Sequence, residues 1–387
     1  MEIEERHDGL LWVDKHRPVG LSQLRQVHPE LTQRLERLAR AGGDLPHLLF
    51  YGPPGGGKRT RVRALLREMY GVGVEHTKVE HRVFKVGEPA KTVEVTTVSS
   101  AYHIEMNPSD AGWNDRLVVQ AVIKEIAASR PLEVVARWGA TSADADTPSS
   151  RRPRFKVVVL HEVDQLTRDA QQALRRTMEK YSGTCRLVLV ADSPTRVIDP
   201  LRSRCFPVRV PAPTVDEVVH VLRSVTRQEH LRDQDVPEAF LRKVAVESER
   251  NLRRALLSLE ASHLSAFPFR ESHAVSRPDW QVVCEDVATL IAREQTPQAL
   301  LKVRAKYYEL LTHCIPGDVI FKYVLWALLR RSPRRLAPPL CAWAAFYQHR
   351  LCTGSKAILH LEAFAAKAMA TIRAHGAEGI AMVEDVL

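Results

Sequence analysis

The stretch HLLFYGPPGGGKRTRVRALLREMY, residues 47–70, gives the strongest indication of the fold of this chain. It begins with a short apolar run, which predicts a buried strand, and it ends with a helical pattern over residues 58–70. The apolar residues of one helical face are Val62, Leu65, Leu66 and Met69. Between strand and helix lies GPPGGGKRT, residues 52–60. A glycine-rich turn that leads into a helix exposes backbone N–H groups, and these groups bind phosphate.

The glycine loop departs from the usual phosphate-binding pattern at one position. The pattern requires Gly, four residues, Gly, Lys, and then a Ser or Thr whose hydroxyl holds Mg²⁺. Lys58 is present, but Arg59 follows it. A guanidinium group only donates hydrogen bonds and cannot ligate a cation. Thr60 does not replace the missing hydroxyl, because the next helical residue points about 100° away. The loop residues expected to contact nucleotide are Gly52, Pro53, Pro54, Gly55, Gly56, Gly57, Lys58, Arg59 and Thr60.

A second apolar strand, in FKVVVLHEVDQL (155–166), leads to the position that normally supplies an acidic residue to such a site. An Asp there holds Mg²⁺, and a following Glu can orient the attacking water. Here His161 stands in the Asp position, while Glu162 and Asp164 remain. Imidazole is a poor partner for Mg²⁺, which prefers oxygen ligands. We therefore expect no Mg²⁺ ligand from protein side chains, and we expect Glu162 to be a residual carboxylate, inactive in cis.

Composition gives broader limits on the protein. A chain of 387 residues with 45% hydrophobic residues predicts two or three folded domains. Lys and Arg number 56 against 46 Asp and Glu, which suggests a polyanionic partner such as nucleic acid, although many basic proteins have none. The six cysteines contain no C-x-x-C pair, so neither a zinc site nor a disulfide framework is predicted. We expect no signal peptide and no membrane span.

The order of predicted elements divides the chain into parts. Short apolar strands alternate with helices over 10–210, which predicts a parallel α/β sheet. TVEVTTV (92–98) and YHIEM (102–106) alternate apolar and polar residues and are predicted to pair as a hairpin. Beyond the prolines at 211–213 the pattern is helical only, with a second break at 267–279.

Several longer stretches resemble one protein family. They include WVDKHRP, REMYGVGVE, NPSDAG, ALRRTMEKY, RSRC, RNLRRALL, ELLTHCIP and GSKAI followed by HLEAF. The chain resembles the small subunits of eukaryotic replication factor C, the AAA+ clamp loader that opens the sliding clamp and places it on primed DNA. It is most similar to the small subunit whose phosphate loop and acidic strand both depart from the active pattern.

The resemblance implies a fold with three parts. These are an α/β P-loop AAA+ domain with a parallel sheet and helices on both faces, a small helical lid domain, and a C-terminal helical collar that assembles the ring. The expected boundaries are an N-terminal extension at 1–10, the AAA+ domain at 11–211, the lid at 212–275 and the collar at 276–387. A polar stretch at 139–154 is expected to be a mobile surface insertion.

The resemblance also implies roles for individual residues. Arg204, in the family's S-R-C motif, would reach into the neighbouring subunit's ATP site, where such a finger is worth roughly 10³–10⁵ in rate. The alternative interpretation is that RSRC is simply a solvated basic loop. Arg253 matches the lid arginine that senses nucleotide phosphates, and its alternative is an exposed helical arginine. Asp192 occupies a sensor position where the family usually has Asn, an unfavourable replacement near phosphate. The residues expected at the adenine pocket are Val13, Arg17 and Pro18, while Trp12 is expected to pack.

DNA contact is expected from Arg175 and Arg176, on a helix that would face the interior of the ring. Adjacent positions do not share one helical face, so we expect at most one of them to meet phosphate while the other serves ion pairing or coupling. The alternative is an ordinary charged surface. Binding would be to backbone and shape, without sequence specificity.

Three functions are compatible with these residues. The first is a nuclear clamp-loader subunit in a heteropentamer, which binds ATP or ADP, hydrolyses it poorly and contacts the other subunits, proliferating cell nuclear antigen and primer-template DNA. The second is an autonomous AAA+ ATPase, such as a helicase loader or a branch-migration motor, which would require an intact metal site. The third is a structural protein whose loop binds nothing. The unbroken glycines and Lys58 argue against the third.

Overall fold

The computed structural model describes residues 9–40, 45–86, 91–109, 115–119 and 155–384. The predicted insertion at 139–154 lies outside these residues, as does most of the predicted extension at 1–10. The stretch LVVQAVIKEIAAS (117–129), whose pattern predicts a helix, lies outside them beyond residue 119. None of the helices in the described part of the chain combines the length and the apolar character that a membrane span requires.

Among the described residues, seven strands form one sheet in the order β2-β3-β4-β5-β6-β1-β7. The strands are β1 Leu48–Tyr51, β2 Lys78–Val86, β3 Lys91–Ser99, β4 His103–Met106, β5 Lys156–Leu160, β6 Cys185–Ala191 and β7 Phe206–Arg209. Strands β4, β5, β6, β1 and β7 run parallel. Their carboxyl ends therefore meet at one edge of the sheet, where α/β proteins bind ligands.

The sheet is mixed, whereas the alternation of elements predicted a parallel one. The predicted hairpin is confirmed, since β3 pairs antiparallel with β4 and Val98 lies opposite Glu105. Strand β2 was not predicted, and it extends the sheet by pairing antiparallel with β3. The reason is that only a few residues separate β2 from β3 and β3 from β4 along the chain. Such a short connection can join antiparallel strands, whereas parallel strands need a longer crossover.

Helices cover both faces of the sheet, as expected. On one face, α2 (Pro29–Arg40) and α3 (Lys58–Tyr70) bury apolar side chains against β1 and β6, and the predicted helical face of α3 is buried. On the other face lies α4 (Arg168–Tyr181), followed by the short α5 (Asp199–Arg202). These two apolar layers hold the ends of the central strands in place.

Three helices follow the sheet and form a small core of their own. They are α6 (Val215–Gln228), α7 (Glu238–Glu247) and α8 (Leu252–Ser265). Trp12, in the one-turn α1 (Trp12–Lys15), packs into this core, and its backbone N–H donates to Glu260 at 3.1 Å. The predicted packing role of Trp12 is thereby confirmed.

The described residues divide into two compact units on either side of Ser276. The second unit is entirely helical, with α9 Asp279–Arg293, α10 Pro297–Thr312, α11 Gly317–Arg331, α12 Ala337–Thr353 and α13 Ala357–Glu384. Its aromatic residues have different environments. Phe364 is fully buried in the core of this unit, whereas Phe346 is 44% exposed.

Candidate nucleotide-binding site

The glycine loop has a backbone that only glycine adopts easily. Gly52, Gly55 and Gly57 all have positive φ angles, of 151°, 73° and 85°. A Cβ atom on Gly52 would lie 1.9 Å from the carbonyl oxygen of Val210, and one on Gly55 would lie 1.8 Å from Oδ1 of Asn251. The loop therefore passes close to the sheet edge and to the N-terminus of α8.

Lys58, the first residue of α3, is almost completely buried and fully hydrogen-bonded. Its Nζ donates to the carbonyl oxygens of Gly52 at 2.6 Å and Pro53 at 2.9 Å, and to Oδ1 of Asp192 at 2.6 Å. An ammonium group has three N–H donors, so each of them has an acceptor. The side chain is folded back along the loop, with its charge at the strand ends.

A cavity of about 460 Å³ adjoins the glycine loop. Its walls are the segment 13–19, the loop, and helices α6 and α8, and its volume suits a small organic ligand. Of the residues predicted to contact nucleotide, those that line the cavity are Val13, Arg17, Pro18, Gly55, Gly56, Gly57, Thr60 and Arg253. The others lie along the loop, namely Gly52, Pro53, Pro54, Lys58 and Arg59, or at the adjacent strand end, namely Asp192.

Arginine side chains crowd the region between the loop and the cavity. Nε of Arg17 donates to Oγ1 of Thr60 at 3.3 Å, which engages the hydroxyl that follows Arg59. Burial lowers the pKa of Arg17, and the charges of Arg63 and Arg59 lower it further. Partial loss of water around Arg59 lowers its pKa too, with Arg63 and Arg253 adding to the effect. Such mutual repulsion favours binding of a polyanion.

His161 is engaged with a buried carboxylate that was not among the predicted residues. Its Nε2 lies 3.3 Å from Oε2 of Glu105, and Nδ1 is buried without a partner. Burial lowers the pKa of His161, so the ring is neutral at pH 7. Burial by itself would raise the pKa of Glu105, but hydrogen bonds from His103, His161 and Arg63 hold it well below its usual range. In the sequence, Glu105 could have been noticed as a carboxylate inside the short predicted strand that contains HIEM, residues 103–106.

Carboxylates lie at the carboxyl ends of β5 and β6. Glu162 is exposed and has a left-handed backbone, with φ of 53°. Asp164 is buried, and its Oδ2 accepts the backbone N–H of Ser193 at 3.4 Å. The Asp192 side chain is 56% exposed and reaches Lys58. Ala191 is the register partner of Tyr51, so Asp192 is placed directly beside the start of the glycine loop.

Arg204 lies at the opposite edge of the sheet. It precedes β7, and Phe206 of that strand is the register partner of Leu48 at the start of β1. Four residues of β1 separate this edge from the glycine loop, a distance of about 13 Å. The guanidinium of Arg204 contacts Oε1 of Glu179 at 2.5 Å and donates to the carbonyl oxygen of Pro200 at 2.9 Å.

Arg175 and Arg176 lie on the exposed face of α4 and line one groove. Arg168 and Arg196 line the same groove, so four guanidinium groups border it. Both predicted residues therefore face one groove, whereas we expected the two to face different directions. Nε of Arg175 also lies 3.4 Å from Oε1 of Glu179, so this arginine forms an ion pair.

Three protein families match successive parts of the chain. Residues 48–213 match the ATPase family associated with various cellular activities (AAA). Residues 220–264 match the RCF1/5-like AAA+ ATPase lid domain, and residues 280–376 match the C-terminal domain of replication factor C subunit 3. A nucleotide-binding domain is thus followed by a lid and a C-terminal domain of the replication factor C type.

Curated relatives extend over nearly the whole chain. Replication factor C subunit 3 of Bos taurus is 47% identical over 96% of this chain and 98% of its own length. Replication factor C subunit 3 of Arabidopsis thaliana is 44% identical over 93% and 97%, respectively. A solved structure of the RuvB Holliday junction branch migration motor of Thermotoga maritima has a TM-score of 0.46 and 14% identity, over 81% of this chain and 90% of that one. The relatives show that the chain belongs to the replication factor C family, as a small subunit.

Proposed function

We propose that this chain is a nuclear subunit of the heteropentameric clamp loader, which holds nucleotide in its own site and lends Arg204 to a neighbouring site. With the other replication factor C subunits it would open proliferating cell nuclear antigen and load it on primer-template DNA. The observation that carries the proposal is that two candidate sites lie at opposite edges of the sheet. A glycine loop with its lysine lies at the carboxyl edge of the sheet, and the exposed Arg204 lies at the amino edge.

The site is suited to hold ATP or ADP. Backbone N–H groups at the N-terminus of α3, together with Lys58, would bind phosphate, and the arginines beside the loop would neutralise its charge. The adjacent cavity has apolar walls from α6 and α8, including Val225, Leu252 and Leu256, which suit a base. Arg253 lines this cavity from α8, the place from which a lid residue can report the bound state.

The residues at the two metal positions do not fit Mg²⁺. The guanidinium of Arg59 has no lone pair to offer a cation. His161 is neutral, its Nε2 faces Glu105, and its Nδ1 is buried away from solvent. These two side chains would therefore not hold a metal ion, and we expect Glu162 to have no partner with which to activate water. Hydrolysis in cis would be slow, since phosphoryl transfer depends on positioning and on neutralised charge.

Arg204 would act in trans. The parallel strands β1 and β7 hold it about 13 Å from the chain's own loop, so it cannot serve that loop without unfolding the edge. Its side chain is 35% exposed and can meet a phosphate on a neighbouring subunit. A guanidinium there would stabilise the charge that spreads over the transferring phosphoryl group.

The groove along α4 is the proposed DNA contact. Four arginines border it, and the chain as a whole carries a formal net charge of +10. Guanidinium groups that line one exposed groove bind backbone phosphates without reading bases. Contacts of this kind release counterions, so binding would weaken steeply with salt.

Nucleotide binding and turnover by the purified chain test the proposal against its alternatives. We expect measurable binding of ATP or ADP and turnover close to background. Rapid turnover by the chain alone would instead support an autonomous AAA+ ATPase acting on DNA. Absence of binding to either nucleotide would support a structural subunit with an inert loop.

A further inference from the structure

We propose that Asp192 sets the preference of this site for nucleoside diphosphates over triphosphates, because its carboxylate occupies Lys58 where a γ-phosphate would bind. The inference rests on the proposed function, in that it requires the loop to hold a nucleotide. It adds the residue that selects which nucleotide is held.

The position of Asp192 follows from strand register. β6 lies beside β1, and the pair Tyr51 and Ala191 ends both strands at the same level. Asp192 is the next residue, so its side chain leaves the sheet edge beside the loop. Asp164 accepts the N–H of Ser193 and thereby fixes the backbone that follows. The folded sheet thus sets the position of the Asp192 side chain beside the loop.

Lys58 has no free donor for a further anion. Its three N–H groups are taken by two backbone carbonyls and by Asp192. The carbonyls belong to the loop backbone, whereas the Asp192 side chain is 56% exposed and can turn into water. A phosphate oxygen that binds Lys58 therefore displaces Asp192 rather than Gly52 or Pro53.

The cost of that displacement differs between the two nucleotides. The β-phosphate of a diphosphate would be bound by the backbone N–H groups of the loop. The nearby charge of Lys58 would attract this phosphate while the pair with Asp192 stays closed. A triphosphate brings a further, doubly charged group toward the same lysine. Either Asp192 leaves, and the ion pair is lost, or two anions share one ammonium group. Both outcomes weaken the triphosphate relative to the diphosphate.

Asp192→Asn is the sharpest test, because it keeps the size and the acceptor oxygen while it removes the charge. Dissociation constants of ADP and of the non-hydrolysable triphosphate AMP-PNP would be measured calorimetrically for the full chain, with and without Mg²⁺. We expect the wild type to prefer ADP. We expect Asp192→Asn to shrink that preference about tenfold, equivalent to about 1.4 kcal/mol, mainly through tighter binding of AMP-PNP. Asp192→Ala should change the preference in the same direction.

Asp216→Asn is the matched control, since Asp216 is an exposed aspartate of α6 that pairs with Arg242 away from the loop. It should leave the ratio of the two dissociation constants unchanged. Wild-type protein that binds both nucleotides, with a ratio that neither Asp192 variant alters, would overturn this inference and leave the proposed function standing. Equal affinity of the wild type for ADP and AMP-PNP would do the same. Failure of the wild type to bind any nucleotide would overturn both.

Discussion

Arg204 and Glu179 form a salt bridge at the amino edge of the sheet, with Nη2 and Oε1 2.5 Å apart. Glu179 belongs to α4, and the same oxygen lies 3.4 Å from Nε of Arg175. Burial by itself would raise the pKa of Glu179, but the charges and hydrogen bonds of Arg204 and Arg175 lower it overall. The Glu179 carboxylate thus contacts both Arg204, the proposed arginine finger, and Arg175, a proposed DNA contact.

Removal of the Glu179 charge should make Arg204 more available to a neighbouring site. We expect Glu179→Gln to raise the ATPase rate of the assembled complex by about two- to fivefold, the range that an exposed ion pair supports. Steady-state phosphate release measures this change. Glu238→Gln, which affects an exposed ion pair with Arg223 in the lid, is the control. A rate equal to or below that of the wild type would show that Glu179 does not restrain the finger.

Arg204 and Lys58 should have unequal importance for the complex. Arg204→Ala removes a guanidinium that we assign to a neighbouring site, so the ATPase rate of the complex should fall at least about tenfold. Lys58→Ala affects a site that contributes little hydrolysis, and the rate should stay within about twofold of the wild type. Steady-state ATPase assays of complexes assembled with each variant compare the two. Equally large losses from both variants would contradict the division of labour.

Gly55 is a position where the loop tolerates substitution poorly. Gly55→Ala would place a Cβ atom 1.8 Å from Oδ1 of Asn251, the atom that caps α8 by accepting the N–H of Arg254, and the φ of 73° disfavours alanine. We expect the dissociation constant for ADP to rise at least about tenfold. Gly183→Ala is the control, because open space surrounds Gly183. Wild-type affinity in Gly55→Ala would show that the loop does not bind the nucleotide.

His47 should make the stability of the protein depend on pH. Burial, followed by the charge of Arg186, lowers its pKa to about 4, and Nδ1 accepts the backbone N–H of Leu187 at 3.0 Å. The unfolded chain takes up a proton near pH 6.5, so between about pH 6.5 and 4 it binds more protons than the folded state. Stability is therefore complete above pH 6.5 and falls as the pH decreases, by about 2 kcal/mol at pH 5.

Thermal unfolding at pH 7 and pH 5 measures this effect. His47→Asn keeps an acceptor for Leu187 and cannot be protonated, so it should reduce the difference between the two unfolding temperatures. His230→Asn is the control, since His230 is exposed and its left-handed backbone suits asparagine. An unchanged difference in His47→Asn would contradict the assignment to His47.

Arg175 and Arg176 should contribute to DNA affinity through phosphate contacts. Each alanine variant should weaken binding of primer-template DNA by the assembled complex to a similar degree for every sequence. Each should also reduce the slope of log affinity against log salt by about 1. Fluorescence anisotropy over a range of salt concentrations measures both effects. Arg232→Ala, an exposed arginine of the lid, serves as control. If the slope of log affinity against log salt is unchanged in both variants, the groove is not part of the DNA interface.

The elements that depend on neighbours along the chain could be predicted from the sequence. The strand, glycine loop and helix at 47–70 were predicted from spacing, and the structure has β1 and α3 where the pattern indicated them. Such elements are set by contacts within a few residues, as are the helices of the lid and of the C-terminal unit. The replacements Arg59 and His161 could also be read directly, because each lies at a fixed place in a local motif.

The contacts between side chains that are distant in the sequence could not be predicted in this way, because they depend on the folded sheet. Asp192 pairs with Lys58 across 134 residues of sequence, and Glu105 meets His161 across 56. These contacts depend on strand order and register, which short-range spacing does not encode. The antiparallel strand β2 was missed for the same reason, since its partner β3 decides its place in the sheet. Parallel pairing of β1 with β6 and β7 puts Lys58 and Asp192 at one edge and Arg204 at the other.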